Sequence, residues 1–232
     1  TCSANGDCEL QDVAAEVGLR DVRYNVEPSN TNQGVDTSNP FFFFDPSKCI
    51  VCSRCVRACD DLQVTHALSI DGRGFASRII AGADESFMDS DCVSCGACVN
   101  ECPVGALEDK QLRAAGNPDK WVRTTCGYCG VGCQFDAGIK GNQLVTMKPA
   151  ADSPVNNGHS CVKGRFASAY VNHKERLATP LIRETKESEF REASWEETFA
   201  FITERWKGIL DESGPDAIGI ITSSRSTNEL NY

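Results

Sequence analysis

Twelve of the fourteen cysteines in this chain fall into three ordered quartets, and thiols spaced this regularly suit inorganic iron–sulfur cores. The first quartet is Cys49, Cys52, Cys55 and Cys59 in CIVCSRCVRAC; the second is Cys92, Cys95, Cys98 and Cys102 in CVSCGACVNECP. Both read C-x2-C-x2-C-x3-C. Thiolates at every third position can wrap three corners of a cubane, because each iron takes one soft anionic sulfur. The fourth cysteine is expected to begin a helix and to ligate the partner cluster. That assigns Cys49, Cys52, Cys55 and Cys102 to one [4Fe-4S] cluster, and Cys92, Cys95, Cys98 and Cys59 to the other. The duplication is an internal repeat with pseudo-twofold logic. Its two halves differ in one respect: Pro103 follows Cys102, whereas Asp60 follows Cys59.

Zinc and disulfides are the competing chemistries. Zinc knuckles use cysteine pairs separated by a finger, and two runs of four at identical short spacing leave no room for one. Disulfide scaffolds belong mostly to short secreted domains.

The third quartet, Cys126, Cys129, Cys133 and Cys161, is built differently, with CGYCGVGC followed by a distant cysteine in HSCVKGR. Glycines 127, 130 and 132 leave the backbone free to close around a cluster. The intervening QFDAGIKGNQLVTMKP predicts a β-hairpin with strands near 134–139 and 143–147, turning at Gly141 and Asn142. Such a hairpin returns Cys161 to the same site. A zinc ribbon uses the same ligand types and remains an alternative here.

These ligands need elements to hold them. ELQDVAAEVG predicts a short helix, ALSIDGRGFASRII a hairpin turning at 71–74, and EDKQLRAAGNPDK a polar linker. Residues 21–48 read as an irregular connector, and the apolar run 41–44 as core. A helix starts near Trp195, with Ser194 and Glu197 as a capping box. Phe199, Ile202, Trp206 and Ile209 recur at helical spacing and predict a buried face. Gly214 and Pro215 stop that helix, and AIGII at 217–221 reads as a buried strand. Ser223, Ser224 and Arg225 follow, reading either as an ordinary strand-end loop or as contacts for phosphate groups. His159 reads as a neighbour of the third site or an exposed side chain, and His66 and His173 as structural.

Only 8% of the 232 residues are aromatic, and there are 19 glycines, so clusters are expected to supply folding free energy that a small apolar core does not. A net charge of -10 argues against nucleic acid as a partner. No apolar run approaches the roughly 20 residues of a membrane helix. So many free thiolates favour a reducing, cytoplasmic setting.

The motifs TTCGYCGVGC, NNGHSCVKGR, YVNHKERLATPLIR and SWEET, with GPDAIGIITSSRSTNELNY, resemble the start of the large subunit of molybdenum- or tungsten-dependent formate dehydrogenases. These are bis-molybdopterin guanine dinucleotide oxidoreductases. The eight-cysteine insert ahead of them is similar to that of cytoplasmic, NAD-linked members. Cys2 and Cys8, in TCSANGDCELQ, resemble the end of a His-x3-Cys-x2-Cys-x5-Cys motif that holds a further [4Fe-4S] cluster. The resemblance implies that its upstream ligands precede Thr1, and that the catalytic cysteine or selenocysteine, histidine and arginine lie beyond Tyr232. It also implies that Lys163, two residues after Cys161, lies between the third cluster and the proximal pterin.

The expected fold is α+β. Its parts are the end of a His/Cys-type cluster domain (1–20), a connector (21–48), a two-cluster ferredoxin-like domain (49–110), a [4Fe-4S] molybdopterin oxidoreductase N-terminal domain (121–175) and the start of a molybdopterin-binding α/β lobe (176–232). The implied function is electron relay from formate at Mo or W toward a flavin- and NAD-binding iron–sulfur partner subunit. A peripheral iron–sulfur subunit of NADH:quinone oxidoreductase shares the early motif but lacks the insert at 49–102. A free polyferredoxin has no need of the elements after residue 166.

Overall fold

The computed structural model describes residues 2–21, 34–223 and 225–226. Its architecture is α+β, with short helices and small antiparallel sheets arranged around the cysteine loops. Helix α1 (Glu9–Glu16) opens the chain, and its first turn carries Glu9 and Asp12, favourable near the positive end of a helix. Strand β1 (Phe42–Phe44) follows. The first cysteine run carries α2 (Arg54–Arg57) and continues into a wider helical turn at Ala58–Gln63. Strands β2 (Leu68–Asp71) and β3 (Arg78–Ala81) form the expected hairpin, in register Leu68 to Ala81 and Asp71 to Arg78.

The second run carries α3 (Ala97–Glu101) and leads to β4 (Leu107–Asp109), which pairs antiparallel with β1. That long-range pairing ties the connector to the end of the second run. Strand alternation puts Phe42 and Phe44 on one face, where both are buried, and Phe43 on the other, under the Arg113 guanidinium at 5.5 Å. Phe42 and Phe44 join Leu68, Ile79, Phe87, Leu107 and Phe166 in one apolar cluster, together with Cys55 and Cys98. The core and the cysteine sites are thus one body. Buried Asn39 ties the connector to the second run by donating to Ser94 Oγ at 2.8 Å.

Helix α4 (Lys110–Ala115) comes next, then a three-stranded sheet of β5 (Lys120–Thr125), β6 (Gln134–Lys140) and β7 (Gln143–Pro149) in that order. The β6–β7 hairpin turns at Gly141, whose φ of 59° suits glycine. Helix α5 (Val162–Phe166) begins directly after Cys161. Strands β8 (Leu181–Ile182) and β9 (Arg191–Glu192) and helix α6 (Trp195–Ser213) complete the described elements. Ser194 caps α6, accepting from Glu197 N at 3.1 Å, and Gly214 ends it at φ 76°. Among the described residues, no helix is long and apolar enough to cross a membrane.

Four expectations fail. The fourth cysteines do not begin helices: Cys59 lies inside the turn at Ala58–Gln63, and Cys102 is the extended residue that ends α3. Each short helix starts earlier, between the second and third cysteines, where a left-handed residue turns the chain. The stretch expected to be a polar linker folds into β4 and α4, because Asp109 accepts from Gln111 N and Leu112 N and so caps a helix. Phe199, Ile202, Trp206 and Ile209 are exposed, since no described element covers that face of α6. Residues 217–221 form no strand, and Ile220 and Ile221 are exposed; a strand exists only through pairing, and no described strand pairs with them.

Candidate metal centres

The two cysteine runs repeat in backbone as well as in sequence. Val51 N donates to Cys49 Sγ at 3.4 Å, and Ser94 N donates to Cys92 Sγ at 3.4 Å. Val51, Ser53, Ser94 and Gly96 all have positive φ, at 52°, 67°, 55° and 79°, and occupy matching places in the two loops. For a residue with a side chain that conformation costs roughly 1–3 kcal/mol, and it persists where the surroundings impose it. Here it aims successive thiols inward and leaves N–H groups free to meet sulfur. The fourth cysteines receive N–H donors too, from Ala67 to Cys59 at 3.3 Å and from Leu107 to Cys102 at 3.4 Å. Thr65 Oγ1 lies 3.2 Å from Cys59 Sγ.

The tertiary fold groups the thiols across the runs. Burial raises the Cys49 thiol from its ordinary value; Cys102 and Cys52 raise it further, against the lowering effect of Val51 N. Burial pushes Cys55 up to about 12, reinforced by Cys49, Cys102 and Cys52. In the second group, burial raises Cys92 and Cys95, and Cys59 adds to both shifts. Cys98 is raised well above the ordinary value by burial first, then by Cys55, Cys92, Cys95 and Cys59. The neighbourhoods are therefore Cys49, Cys52, Cys55 and Cys102 on one side and Cys59, Cys92, Cys95 and Cys98 on the other, with the charge of Cys55 reaching Cys98 between them.

The four cysteines of the second grouping share one pocket. Cys59, Cys92, Cys95 and Cys98 all line it, with Phe42, Leu68 and Phe87, and it is small, about 20 Å³. Four unpaired thiols around one apolar-walled space, with backbone N–H groups already on Cys59 and Cys92, fit an anionic cluster of iron and sulfide. All fourteen cysteines are free, and among the described residues no three His, Cys, Asp or Glu side chains converge to hold a single metal ion.

The third quartet is drawn together by the β6–β7 hairpin. Cys126 N donates to Cys133 O at 2.8 Å. Burial raises the Cys126 thiol, with Cys129 and Cys161 adding to it and Lys163 opposing it. Cys133 is raised by burial and then by Cys126, Cys129 and Cys161. Lys163 therefore sits with its charge on this quartet. Gly164, next in α5, packs so closely that an added Cβ would stand 2.7 Å from Phe135 Cζ and 3.4 Å from Cys126 Sγ.

Cys8 is buried at the start of α1, whereas Cys2 is exposed. Glu9 N donates to Pro103 O at 3.0 Å, and Arg54 clamps the Glu9 carboxylate at 2.7 and 2.8 Å, so this segment docks where the second run ends. A cavity of about 730 Å³ is lined by both Cys8 and Cys102, with His159 and Arg165 also on its wall. His66 reaches Asp60 at 3.2 Å, and His173 Nδ1 accepts from Glu175 N at 3.3 Å. Ser223 Oγ accepts from Arg225 N at 3.1 Å, while Ser224 lies outside the described residues. Sequence reasoning missed Asp109 and Arg165, which form a buried ion pair at 3.1 Å between the two cluster regions. The only hint was the place of Arg165 in CVKGRF, four residues past a ligand candidate.

Known families follow the chain in the same order. Residues 1–23 match the NADH-ubiquinone oxidoreductase-G iron-sulfur binding region, and 48–106 match a 4Fe-4S dicluster domain. Residues 119–173 match the molybdopterin oxidoreductase Fe4S4 domain, and 176–232 match molybdopterin oxidoreductase. The chain carries iron–sulfur and molybdopterin oxidoreductase domains. Curated proteins similar to the chain include "Probable oxidoreductase YjgC" of Bacillus subtilis (strain 168), 34% identical over 98% of this chain and 27% of that protein. A "Putative formate dehydrogenase" of Staphylococcus aureus (strain USA300) is 32% identical over the same shares. The chain thus spans about a quarter of the length of these curated relatives. A solved NAD+-reducing [NiFe]-hydrogenase chain is 34% identical over 47% of this chain and 46% of its own, with a TM-score of 0.36.

Proposed function

We propose that this chain is the electron-relay portion of an NAD-linked, cytoplasmic formate dehydrogenase that carries out formate + NAD+ to CO2 + NADH. In this reading Cys49, Cys52, Cys55 and Cys102 hold one [4Fe-4S] cluster, Cys59, Cys92, Cys95 and Cys98 a second, and Cys126, Cys129, Cys133 and Cys161 a third. Cys2 and Cys8 supply part of a fourth, in keeping with the match of residues 1–23 to an NADH-ubiquinone oxidoreductase iron–sulfur region. Mo or W on two pterins would supply the two-electron oxidation of formate, and the clusters would supply the one-electron steps that follow.

The chain's own residues position and shield those centres. Phe42, Leu68 and Phe87 wall the Cys59 site with apolar surface, which limits water. Backbone N–H groups on Cys49, Cys59, Cys92 and Cys102 spread negative charge off the sulfurs, which favours acceptance of an electron. Lys163 places a cation on the third quartet, on the side expected to face the pterin. The observation that carries the reading is spatial order: the third quartet connects through α5 to the second run, Cys98 of that run and Cys55 of the first share one core cluster, and the segment with Cys8 docks beside Cys102. Such a series leads from a pterin centre toward a partner subunit with flavin and NAD.

The test is metal analysis of the full complex together with EPR during formate addition. Mo or W should be present, and formate should generate reduced-cluster signals without any other reductant. A complex lacking both metals, or clusters silent to formate, would reduce this chain to a carrier.

A further inference from the structure

Helix α5 touches both cluster regions, and each end of it carries a cation. Lys163 acts on Cys126, as described above. Two residues on, Arg165 is 2% exposed and reaches the other way. Its Nη1 donates to Asp109 Oδ2 at 3.1 Å, to Thr146 Oγ1 at 3.2 Å and, in a short contact, to Met147 O. Thr146 Oγ1 also donates to Asp109 Oδ2 at 3.0 Å, closing a buried polar triangle between β4, β7 and α5. Among the described residues, the buried Nε finds no hydrogen-bond acceptor.

The loop of the second run presses directly on this arginine. A Cβ added at Gly96 would stand 3.1 Å from Arg165 Cγ and 2.8 Å from Phe166 Cζ. Phe166 in turn stacks on Phe41 at 5.0 Å, and the Arg165 guanidinium lies over the Phe166 ring, 4.9 Å from its centre. Burial lowers the Arg165 guanidinium from its ordinary value, against Asp109 and, when ionised, Cys98, which favour its charge. A buried cation is costly unless anions surround it, and one carboxylate leaves an N–H here without a partner. A cluster with four thiolates beside it would provide the missing negative charge.

We propose that Arg165 is a positioning residue for electron transfer: a fixed buried cation that raises the reduction potential of the cluster held by Cys59, Cys92, Cys95 and Cys98, so that it accepts electrons from the third quartet. Asp109 holds the guanidinium in place and limits how far the potential rises. The step moves one electron and makes or breaks no bond. In the proposed relay one electron would pass from the third-quartet site to the site of Cys59, Cys92, Cys95 and Cys98, with formate as the electron source and NAD+ as the final acceptor. The assignment rests on the cluster reading above.

The test is an EPR-monitored redox titration of the whole complex, following the signal that Cys95→Ser alters. Arg165→Gln should disfavour reduction of that cluster by on the order of tenfold, which is 59 mV for one electron. Asp109→Asn should shift it the opposite way, because it removes the opposing charge. Arg165→Lys should restore most of the original potential. A purely structural role predicts no such reversal of sign. Equal potentials in all variants, or shifts in the same direction for Arg165→Gln and Asp109→Asn, overturn the proposal. Should Arg165→Gln fail to assemble, the direction of the Asp109→Asn shift decides alone. Clusters that are present but unshifted leave the relay reading standing, whereas absence of iron and sulfide removes both.

Discussion

The thiol of Cys49 is raised more by Cys102, from the other cysteine run, than by Cys52 of its own. In the proposed assignment the two loops exchange their fourth ligands, so that each cluster would depend on both runs. Cys102→Ser should therefore change the EPR spectrum in the way Cys52→Ser does, and leave the signal sensitive to Cys95→Ser unaltered. A Cys102→Ser spectrum that instead matches Cys95→Ser would mean each run keeps its own cluster.

Lys163 opposes the upward shift of the Cys126 thiol, so its charge stabilises negative charge on the third quartet. A cluster gains negative charge when reduced. Lys163→Ala should slow formate-dependent reduction of that cluster on the order of tenfold while pterin content falls much less. Rapid-freeze EPR with pterin analysis checks it; a normal reduction rate counts against the role.

Thiolates bind iron and thiols do not. Burial holds Cys55 at about 12 and raises Cys49, Cys92, Cys95 and Cys98, so near neutral pH these groups carry protons until iron displaces them. Raised thiol values mean that proton loss limits binding and that higher pH helps. Anaerobic reconstitution with iron and sulfide should become tighter between about pH 7 and pH 9, with protons released on uptake. Uptake that is flat or weakens over that range would contradict it.

Much of this site was legible because it is local. The two C-x2-C-x2-C-x3-C runs, the CGYCGVGC loop, the hairpins around Gly72 and Gly141 and the Ser194 cap all depend on residues near one another in the chain. The pairing of β1 with β4 was hidden, since nothing in FFFF or LED names its partner. Arg165 and Asp109 were hidden for the same reason: a polar pair becomes a site only when tertiary folding buries both members. The apolar stripe on α6 was read correctly as a stripe, yet its burial depends on a covering element that no local pattern identifies.

Gly96 combines φ 79° with a neighbour that leaves no room for a methyl group. Gly96→Ala should lower the stability of the cluster-loaded protein by about 1–3 kcal/mol, through backbone strain and displacement of Phe166. Denaturant midpoints followed by loss of cluster absorbance measure it. An unchanged midpoint would show that the loop and α5 do not pack as described.

The most direct measurement is the iron and acid-labile sulfide content of anaerobically purified protein, with zinc and disulfides determined on the same sample. Each complete quartet should bring four irons and four sulfides, and their removal by a chelator should unfold the region around residues 41–110. Stoichiometric zinc, or paired sulfurs in place of iron and sulfide, would contradict the account at its root.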